Sequence, residues 1–97
     1  MTITAKHKKK LKALGHSLTP LINIGKEEIS EGVIKKTRKE LEQHELIKIK
    51  VQNTTPMPVK FAAEKLSEET GCTIIKIIGS TALLFKRNED EPVIKFD

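Results

Sequence analysis

The part of the sequence best suited to chemistry is IGKEEISEGVIKKTRK, which runs from Ile24 to Lys39. From Ser30 onward it has the pattern of a helix that runs to about His44 and whose apolar side centres on Val33, Thr37 and Leu41. At helical spacings of three, four and seven, the opposite side carries Gly32, Lys35, Lys36 and Lys39. Arg38 lies toward the edge of the buried face and is placed to contribute from the side. The stretch therefore predicts a cationic helix face suited to phosphate.

The start of this helix has features that favour phosphate binding and others that oppose it. The first backbone N–H groups of a helix lack partners within the helix, and the helix dipole makes that end partly positive, so phosphate is a natural ligand there. Gly25 and Lys26 stand just before it. However, Glu27, Glu28 and Glu31 surround the same end and repel an anion. A phosphate site and a merely solvated helix start therefore both remain open on these residues alone.

The net charge of +5 is distributed unevenly along the 97 residues. The first fifty residues contain twelve Lys or Arg and six Glu, a net of +6, whereas the remainder contains six cations and seven acids, a net of −1. A one-sided distribution of this kind indicates a polyanionic partner, nucleic acid before membrane, although a lysine-rich solvated surface explains it equally well.

The first predicted helix is the most basic segment of the chain. Its five lysines are Lys6, Lys8, Lys9, Lys10 and Lys12, and the first twelve residues contain no acid. His7, Leu11 and Leu14 form its apolar face. Lys9 and Lys12 lie opposite that face and Lys6 flanks it, so these side chains are available to a ligand.

Periodicity, caps and turn residues predict three helices and four strands. The helices span about 4–14, 30–44 and 58–70, and the strands span about 21–24, 46–51, 73–78 and 81–86. Phe61 on the third helix is expected to be buried, and 92–97 is expected to be an edge strand or a tail. The αβαβαββ order predicts one α/β domain over 1–97, in which a mixed four-stranded sheet packs with three helices. The order of the strands in the sheet stays open.

Several classes of protein are disfavoured by the composition. No apolar run is long enough to span a bilayer and the N-terminus lacks a signal-peptide core, so we expect a cytoplasmic protein with no membrane partner. Cys72 is the single cysteine and is expected to be a small buried residue, and the three histidines are scattered. We therefore expect no metal and no cofactor. No nucleophile and base stand at a usable spacing, so we expect no catalytic residue and no small-molecule substrate.

Motifs distributed along the chain carry a family resemblance. They are L-K-A-L-G-H-S-L-T-P from Leu11 to Pro20, I-G-K and S-E-G-V between Ile24 and Val33, H-E-L-I-K-I-K from His44 to Lys50, E-T-G from Glu69 to Gly71, and I-I-G-S-T-A-L-L-F-K from Ile77 to Lys86. In order and spacing they resemble the single-domain, YhbY-like members of the CRM family (chloroplast RNA splicing and ribosome maturation), over about residues 3–88. The resemblance implies a fold similar to the C-terminal domain of bacterial translation initiation factor three, and binding of structured RNA.

The resemblance also implies where RNA binds. The family's surface includes a loop that corresponds to Gly25-Lys26, the glycine at Gly32 and basic residues on the flanking helices. The candidate RNA-binding residues are thus Lys6, Lys9, Lys12, Gly25, Lys26, Gly32, Lys35, Lys36, Arg38 and Lys39. The family loop usually reads Gly-x-x-Gly, whereas here Glu28 replaces the second glycine, which removes backbone freedom and some attraction for phosphate. We expect the helices to carry more of the binding.

By resemblance to this family, whose small stand-alone members are associated with precursors of the large ribosomal subunit, we expect a non-enzymatic, monomeric RNA-binding protein that docks ribosomal RNA or its precursor in large-subunit assembly. Tyr and Trp are absent and only three Phe remain, so recognition through phosphate charge and RNA shape is favoured over base stacking. Two alternatives remain. One is an Alba-like nucleic-acid or chromatin protein, against which the short Gly79-Ser80 turn argues, and the other is a protein-interaction module whose lysines only keep it in solution.

Overall fold

Helices and strands alternate along the chain in the computed structural model, which describes residues 1–25, 29–52 and 57–96. The helices are α1 (Ala5–Gly15), α2 (Glu31–His44) and α3 (Val59–Thr70), and the strands are β1 (Ile22–Ile24), β2 (Leu46–Val51), β3 (Thr73–Ile78) and β4 (Thr81–Phe85). The predicted αβαβαββ order and α/β fold class are confirmed, and each predicted element end lies within one residue of the observed one.

Local hydrogen bonds explain where the helices begin and end. The Thr4 hydroxyl accepts from the backbone N–H of His7, and the His7 ring accepts from the N–H of Thr4, which closes a capping box around the start of α1. The Ser30 hydroxyl accepts from the N–H of Val33 and caps α2. Gly71 ends α3 in the left-handed conformation, with φ of 79°.

The four strands form one mixed sheet in the order β1-β2-β4-β3. β1 and β2 are parallel, with Ile24 opposite Val51, and α2 makes the crossover between them. β4 lies antiparallel to both β2 and β3. The mixed four-stranded sheet is therefore confirmed, and its central strands are β2 and β4.

The main core lies between one face of the sheet and the helices α2 and α3. Ile47 and Ile49 of β2 and Leu84 of β4 are fully buried there. Leu41 of α2 and Leu66 of α3 reach them from the helices. These side chains alternate along their strands with others that point to the opposite face, so that face needs its own cover.

The opposite face is covered in part by α1. Leu11 of α1 packs with Leu46, Leu83 and Phe85 in a second buried cluster. Gly15 brings the end of α1 very close to β4, since a Cβ on Gly15 would stand 2.4 Å from a methyl carbon of Leu83. The side of α1 that faces the sheet therefore contains Leu11 and Gly15.

Two apolar residues are exposed against expectation: Leu14, which was placed on the apolar face of α1, and Phe61, which was predicted to be buried. Leu14 is 41 % exposed, because the Leu11–Gly15 line of α1 faces the sheet and Leu14 stands at its margin. Phe61 is 57 % exposed, because α3 buries Ala62, Ala63 and Leu66 and turns Phe61 away from them. Both predictions were wrong because a helix wheel drawn from sequence fixes the apolar side only to within about one residue, or 100°.

The C-terminal residues pack as a tail and form no strand within the described range 86–96. The Glu45 carboxylate, which is fully buried, accepts hydrogen bonds from the backbone N–H groups of Asn88, Val93 and Ile94 at 2.8, 2.8 and 2.6 Å. Farther along, the Phe96 ring lies 4.7 Å from the His7 ring, centroid to centroid. Of the two arrangements predicted for this segment, an edge strand or a tail, the described residues adopt the tail.

Glu45 itself stands in an unusual backbone conformation. It follows α2 with φ of 63°, a region that L residues other than Asn and Asp rarely adopt. A glycine would fit this helix end more easily. The carboxylate's contacts with the tail explain why a glutamate is found there.

We expect Glu45→Ala to lower the free energy of unfolding by about 2–4 kcal/mol, because three backbone N–H groups lose their acceptor. Glu42→Ala, which removes an exposed carboxylate from the last turn of α2, is the matched control. Urea denaturation measures the stability, and hydrogen exchange at Val93 and Ile94 reports whether the tail is released. Equal stability of the two variants would contradict the tail-holding role.

Glycine substitutions provide a second test of the fold. Gly71→Ala should cost about 1–2 kcal/mol of stability, because alanine is strained at φ of 79°. Gly32→Ala in α2 should be neutral or stabilising by up to about 1 kcal/mol, since among the described residues its new methyl group would meet only the Ser30 hydroxyl at 3.6 Å. Thermal and urea unfolding measure both variants, and a reversed order would show that Gly71 does not set the end of α3.

Candidate functional site

The outer face of α2 carries a compact group of cations. Ile34, Thr37 and Leu41 face the core, so the other side of the helix is turned to solvent. That side presents the residues we call the α2 stripe: Gly32, Lys35, Lys36 and Lys39, all of them exposed. They line a shallow depression with Arg38 and Glu42. Within the described part of the chain, none of the three lysines has a carboxylate within salt-bridge distance.

Arg38 has a different role from the lysines beside it. Its guanidinium donates to the backbone carbonyl of Glu69 at the end of α3. Cations are favourable at the C-terminal end of a helix, where carbonyl groups lack partners. Arg38 therefore joins α2 to α3, and only its remaining N–H groups are left for a ligand.

The two glycines near the start of α2 have little packing around them. Among the described residues, a Cβ built on Gly25 would meet no atom within 4 Å, and one on Gly32 would meet only the Ser30 hydroxyl. The described surroundings of Gly32 therefore leave room for a close approach by a ligand. Lys26, Glu27 and Glu28 lie outside the described residues, so the predicted contribution of Lys26 and the effect of Glu28 stay predictions.

The predicted residues of α1 lie on the other side of the molecule. Lys6, Lys9 and Lys12 are exposed on a helix that contacts β2 and β3. α1 covers the face of the sheet that carries Leu83, whereas α2 covers the face that carries Leu84. The structure therefore divides the predicted site residues into two groups, separated by the sheet.

A cationic groove between α1 and the sheet was missed by the sequence reasoning. We call it the α1–sheet groove; its volume is about 270 Å³ and its main lining residues are Lys12, Gly15, His16, Lys48, Lys76 and Leu83. No Asp or Glu among the described residues lines it. The alternation in LIKIKV, from Leu46 to Val51, indicates a half-exposed strand with Lys48 on the exposed side, but only the strand order shows that Lys76 shares that face.

The remaining histidines and Cys72 have structural surroundings. His7 belongs to the capping box of α1, and His44 pairs with Glu40 of its own helix at 3.3 Å. Cys72 is buried in the main core, as predicted, and burial raises the pKa of its thiol, an effect that a hydrogen bond with Thr70 partly offsets. In the described ranges, no three His, Cys, Asp or Glu side chains are grouped to hold a metal ion.

A mixed-charge cleft lies at the far end of α2 and differs from both cationic surfaces. Lys86 and Arg87 line it together with Glu42, Glu89 and Asp90. The Lys86 ammonium donates to the carbonyl of Thr70 at 2.7 Å, and Arg87 donates to the carbonyl of Ile94. These cations donate to carbonyls at the end of α3 and in the tail. Few of their N–H groups are therefore left to bind an anion in this cleft.

The fold and these surfaces define a small α/β domain that presents lysines from an outer helix and from an open part of its sheet. None of the helices in the described part of the chain is long and apolar enough to cross a membrane. The chain belongs to the CRS1 / YhbY (CRM) domain family, whose model matches residues 3–86.

Individual relatives agree with this membership. The chain is 30 % identical to the Probable RNA-binding protein YqeI of Bacillus subtilis, over 96 % of this chain and 97 % of the relative. It is 28 % identical to the Probable RNA-binding protein PA4753 of Pseudomonas aeruginosa, over 91 % and 85 %. In solution, SAV1595 of Staphylococcus aureus, described as a candidate RNA-binding protein, has a similar structure, with a TM-score of 0.69, 34 % identity, and coverage of 95 % of this chain and 100 % of that one.

The burial of Cys72 leads to a prediction about its reactivity. Because only the thiolate is nucleophilic, iodoacetamide at about pH 8 should alkylate the native protein much more slowly than the urea-unfolded protein. Because the pKa of Cys72 is raised in the folded state, its protonated thiol contributes to the stability of the fold. This contribution is fully present below the ordinary pKa of 9.0 and is lost as the pH rises through the raised pKa. Mass spectrometry measures the alkylation. Equal rates in the native and unfolded protein would show that Cys72 is accessible.

Proposed function

We propose that this protein binds structured RNA through the α2 stripe, and that its partner is ribosomal RNA or a ribosomal precursor during assembly of the large subunit. The observation that carries the proposal is the α2 stripe itself, in which three exposed lysines share one helix face and none is neutralised by a described carboxylate. The membership of the CRS1 / YhbY (CRM) family and the RNA-binding names of the relatives support it.

Lysines of this kind bind mainly by charge. Each ammonium that meets a phosphate releases counterions from the RNA, so affinity falls with salt by a log-log slope of about 0.7–0.9 for each phosphate neutralised. Such contacts fix position and carry little sequence information. Recognition of this type selects RNA by the spacing of its phosphates, which differs between folded RNA and a regular DNA duplex.

The start of α2 adds to this surface. The Ser30 hydroxyl and the backbone carbonyl of Ser30 already partner the N–H groups of Val33 and Ile34. Gly32 keeps the approach to the first turn of α2 open, because it has no side chain. A phosphate near Gly32 would lie at the positive end of the helix dipole and close to Lys35 and Lys36.

The test combines the changes Lys35→Ala, Lys36→Ala and Lys39→Ala. Fluorescence anisotropy with a labelled ribosomal RNA fragment, repeated across a salt series, should show affinity reduced by roughly 10- to 100-fold and a salt slope reduced by up to about 2–3. Circular dichroism checks that the variant is folded, which we expect because all three side chains are exposed.

The matched control is Lys60→Ala with Lys65→Ala, which removes two charges from α3. It should reduce the slope and the affinity far less for each charge removed. If the triple variant and the control lose the same affinity per charge, binding depends on net charge alone and the α2 stripe is not the site. If duplex DNA competes as well as RNA, the Alba-like alternative is supported instead.

A further inference from the structure

We propose that the α1–sheet groove is a second RNA-binding site, which holds the backbone of a single RNA strand on the opposite side of the sheet from the α2 stripe. The inference rests on the proposed RNA-binding function and extends it, because a protein with two separated sites can hold two RNA segments at once.

The floor of the groove is a row of three residues across adjacent strands. Lys48 of β2 is paired with Leu83 of β4, and Leu83 is paired with Lys76 of β3. The two lysines therefore flank one leucine on the same face of the sheet. Because Leu83 lies between them, the two lysines are not directly opposite each other, an arrangement of like charges that would destabilise the sheet. Both lysines are still close enough to contact one ligand.

The fold does not require lysine at these two positions. Lys48 is half-buried in a central strand, where a β-branched or apolar residue would favour the sheet more. Neither lysine has a carboxylate within salt-bridge distance in the described part of the chain. A half-buried cation without an anionic partner is costly, and an anionic ligand would offset that cost.

Helix α1 supplies the wall of the groove. Lys12 and His16 line it from the end of the helix, and Gly15 sets the helix against Leu83 so closely that any side chain at this position would need Leu83 to move. The result is a groove in which Leu83 lies between two lysines, with Lys12 and His16 beside them and no acid among the described residues. That combination fits a sugar-phosphate strand, whose phosphates meet the cationic side chains around Leu83.

The size of the groove favours one strand over a duplex. About 270 Å³ is near the lower end of the volumes that small-molecule sites have, so it admits a short length of single-stranded backbone. Lys50 extends the same face along β2, opposite Thr81 of β4, and gives a strand a path out of the groove toward β1.

The two cationic surfaces lie on opposite sides of the sheet, so one straight RNA helix does not contact both. Along β2, Lys48 points to the side opposite Ile47 and Ile49, which face α2 and α3. The sheet and the whole thickness of α2 therefore lie between the groove and the α2 stripe. We infer that the second surface engages a different RNA segment.

The first experiment measures affinity with the variant Lys48→Gln, Lys76→Gln. Its matched control is Lys60→Gln, Lys65→Gln, which removes the same number of charges from α3. For a labelled single-stranded RNA in a salt series, the groove variant should lose roughly 5- to 30-fold in affinity and about one to two units of salt slope, well beyond the control. Lys48→Arg, Lys76→Arg should retain the wild-type affinity.

The second experiment measures bridging. Two non-complementary RNA strands carry a donor and an acceptor fluorophore, and energy transfer between them reports that they are held on one protein. Protein is kept below the RNA concentration, and size-exclusion chromatography with light scattering establishes that the complex contains one protein molecule. Wild-type protein should give transfer, and both the groove variant and the α2 triple variant should abolish it.

The outcomes separate the two proposals. If the α2 triple variant loses affinity while the groove variant matches its control and still bridges, the groove inference is overturned and the proposed function stands. If wild-type protein shows no salt-dependent RNA binding, the proposed function fails and the inference with it. Should Lys48→Gln, Lys76→Gln prove unfolded by circular dichroism, Lys12→Gln replaces it, since Lys12 is exposed and unchanged binding would overturn the inference.

Discussion

The structure depends on one constraint: β4 must be buried on both of its faces. Leu83 and Leu84 are neighbours in this central strand and point to opposite sides, yet both are buried. A strand of this kind needs a layer of helices on each side. α2 and α3 cover Leu84, whereas α1 and the C-terminal tail cover the side of Leu83 and Phe85. Because α1 is a single helix, it leaves part of the second face open, and the lysines of β2 and β3 lie in that opening.

Local signals in the sequence were sufficient to predict the helices and strands but not to predict how they are arranged in the fold. Ser30, Thr4 and Gly71 act through hydrogen bonds or dihedral angles within a few residues, so the ends of the helices could be predicted from them. The strand order depends on packing across the whole chain and could not. The α2 stripe needed only helical periodicity, whereas the α1–sheet groove needed the pairing of Lys48 with Leu83 and of Leu83 with Lys76. Glu45 was missed for the same reason, since its partners lie more than 40 residues away along the chain.

The cations described above fall into two physical groups: those that complete the end of a helix, and those that face solvent without a carboxylate partner among the described residues. Arg38 and Lys86 donate to the carbonyls of Glu69 and Thr70 and so complete the C-terminal end of α3. Their positive charges interact mainly with the carbonyl groups at this helix end. The lysines of the α2 stripe and of the groove have no such partner among the described side chains. Net charge alone, which counts both groups equally, therefore overstates the surface available to an anion.

The pairing of β3 with β4 is irregular, and this irregularity affects how molecules of this protein meet at high concentration. β3 is an edge strand with exposed Ile77 and Ile78, and a flat edge of that composition is a template for aggregation by strand addition. The pairing of β3 with β4 shifts in register between Ile74 and Lys76, and Ile75 at the shift is turned into the second core cluster. The irregular, lysine-bearing edge that results is a poor template for another strand, so the residue that anchors β3 in the core also protects the protein against edge-to-edge association.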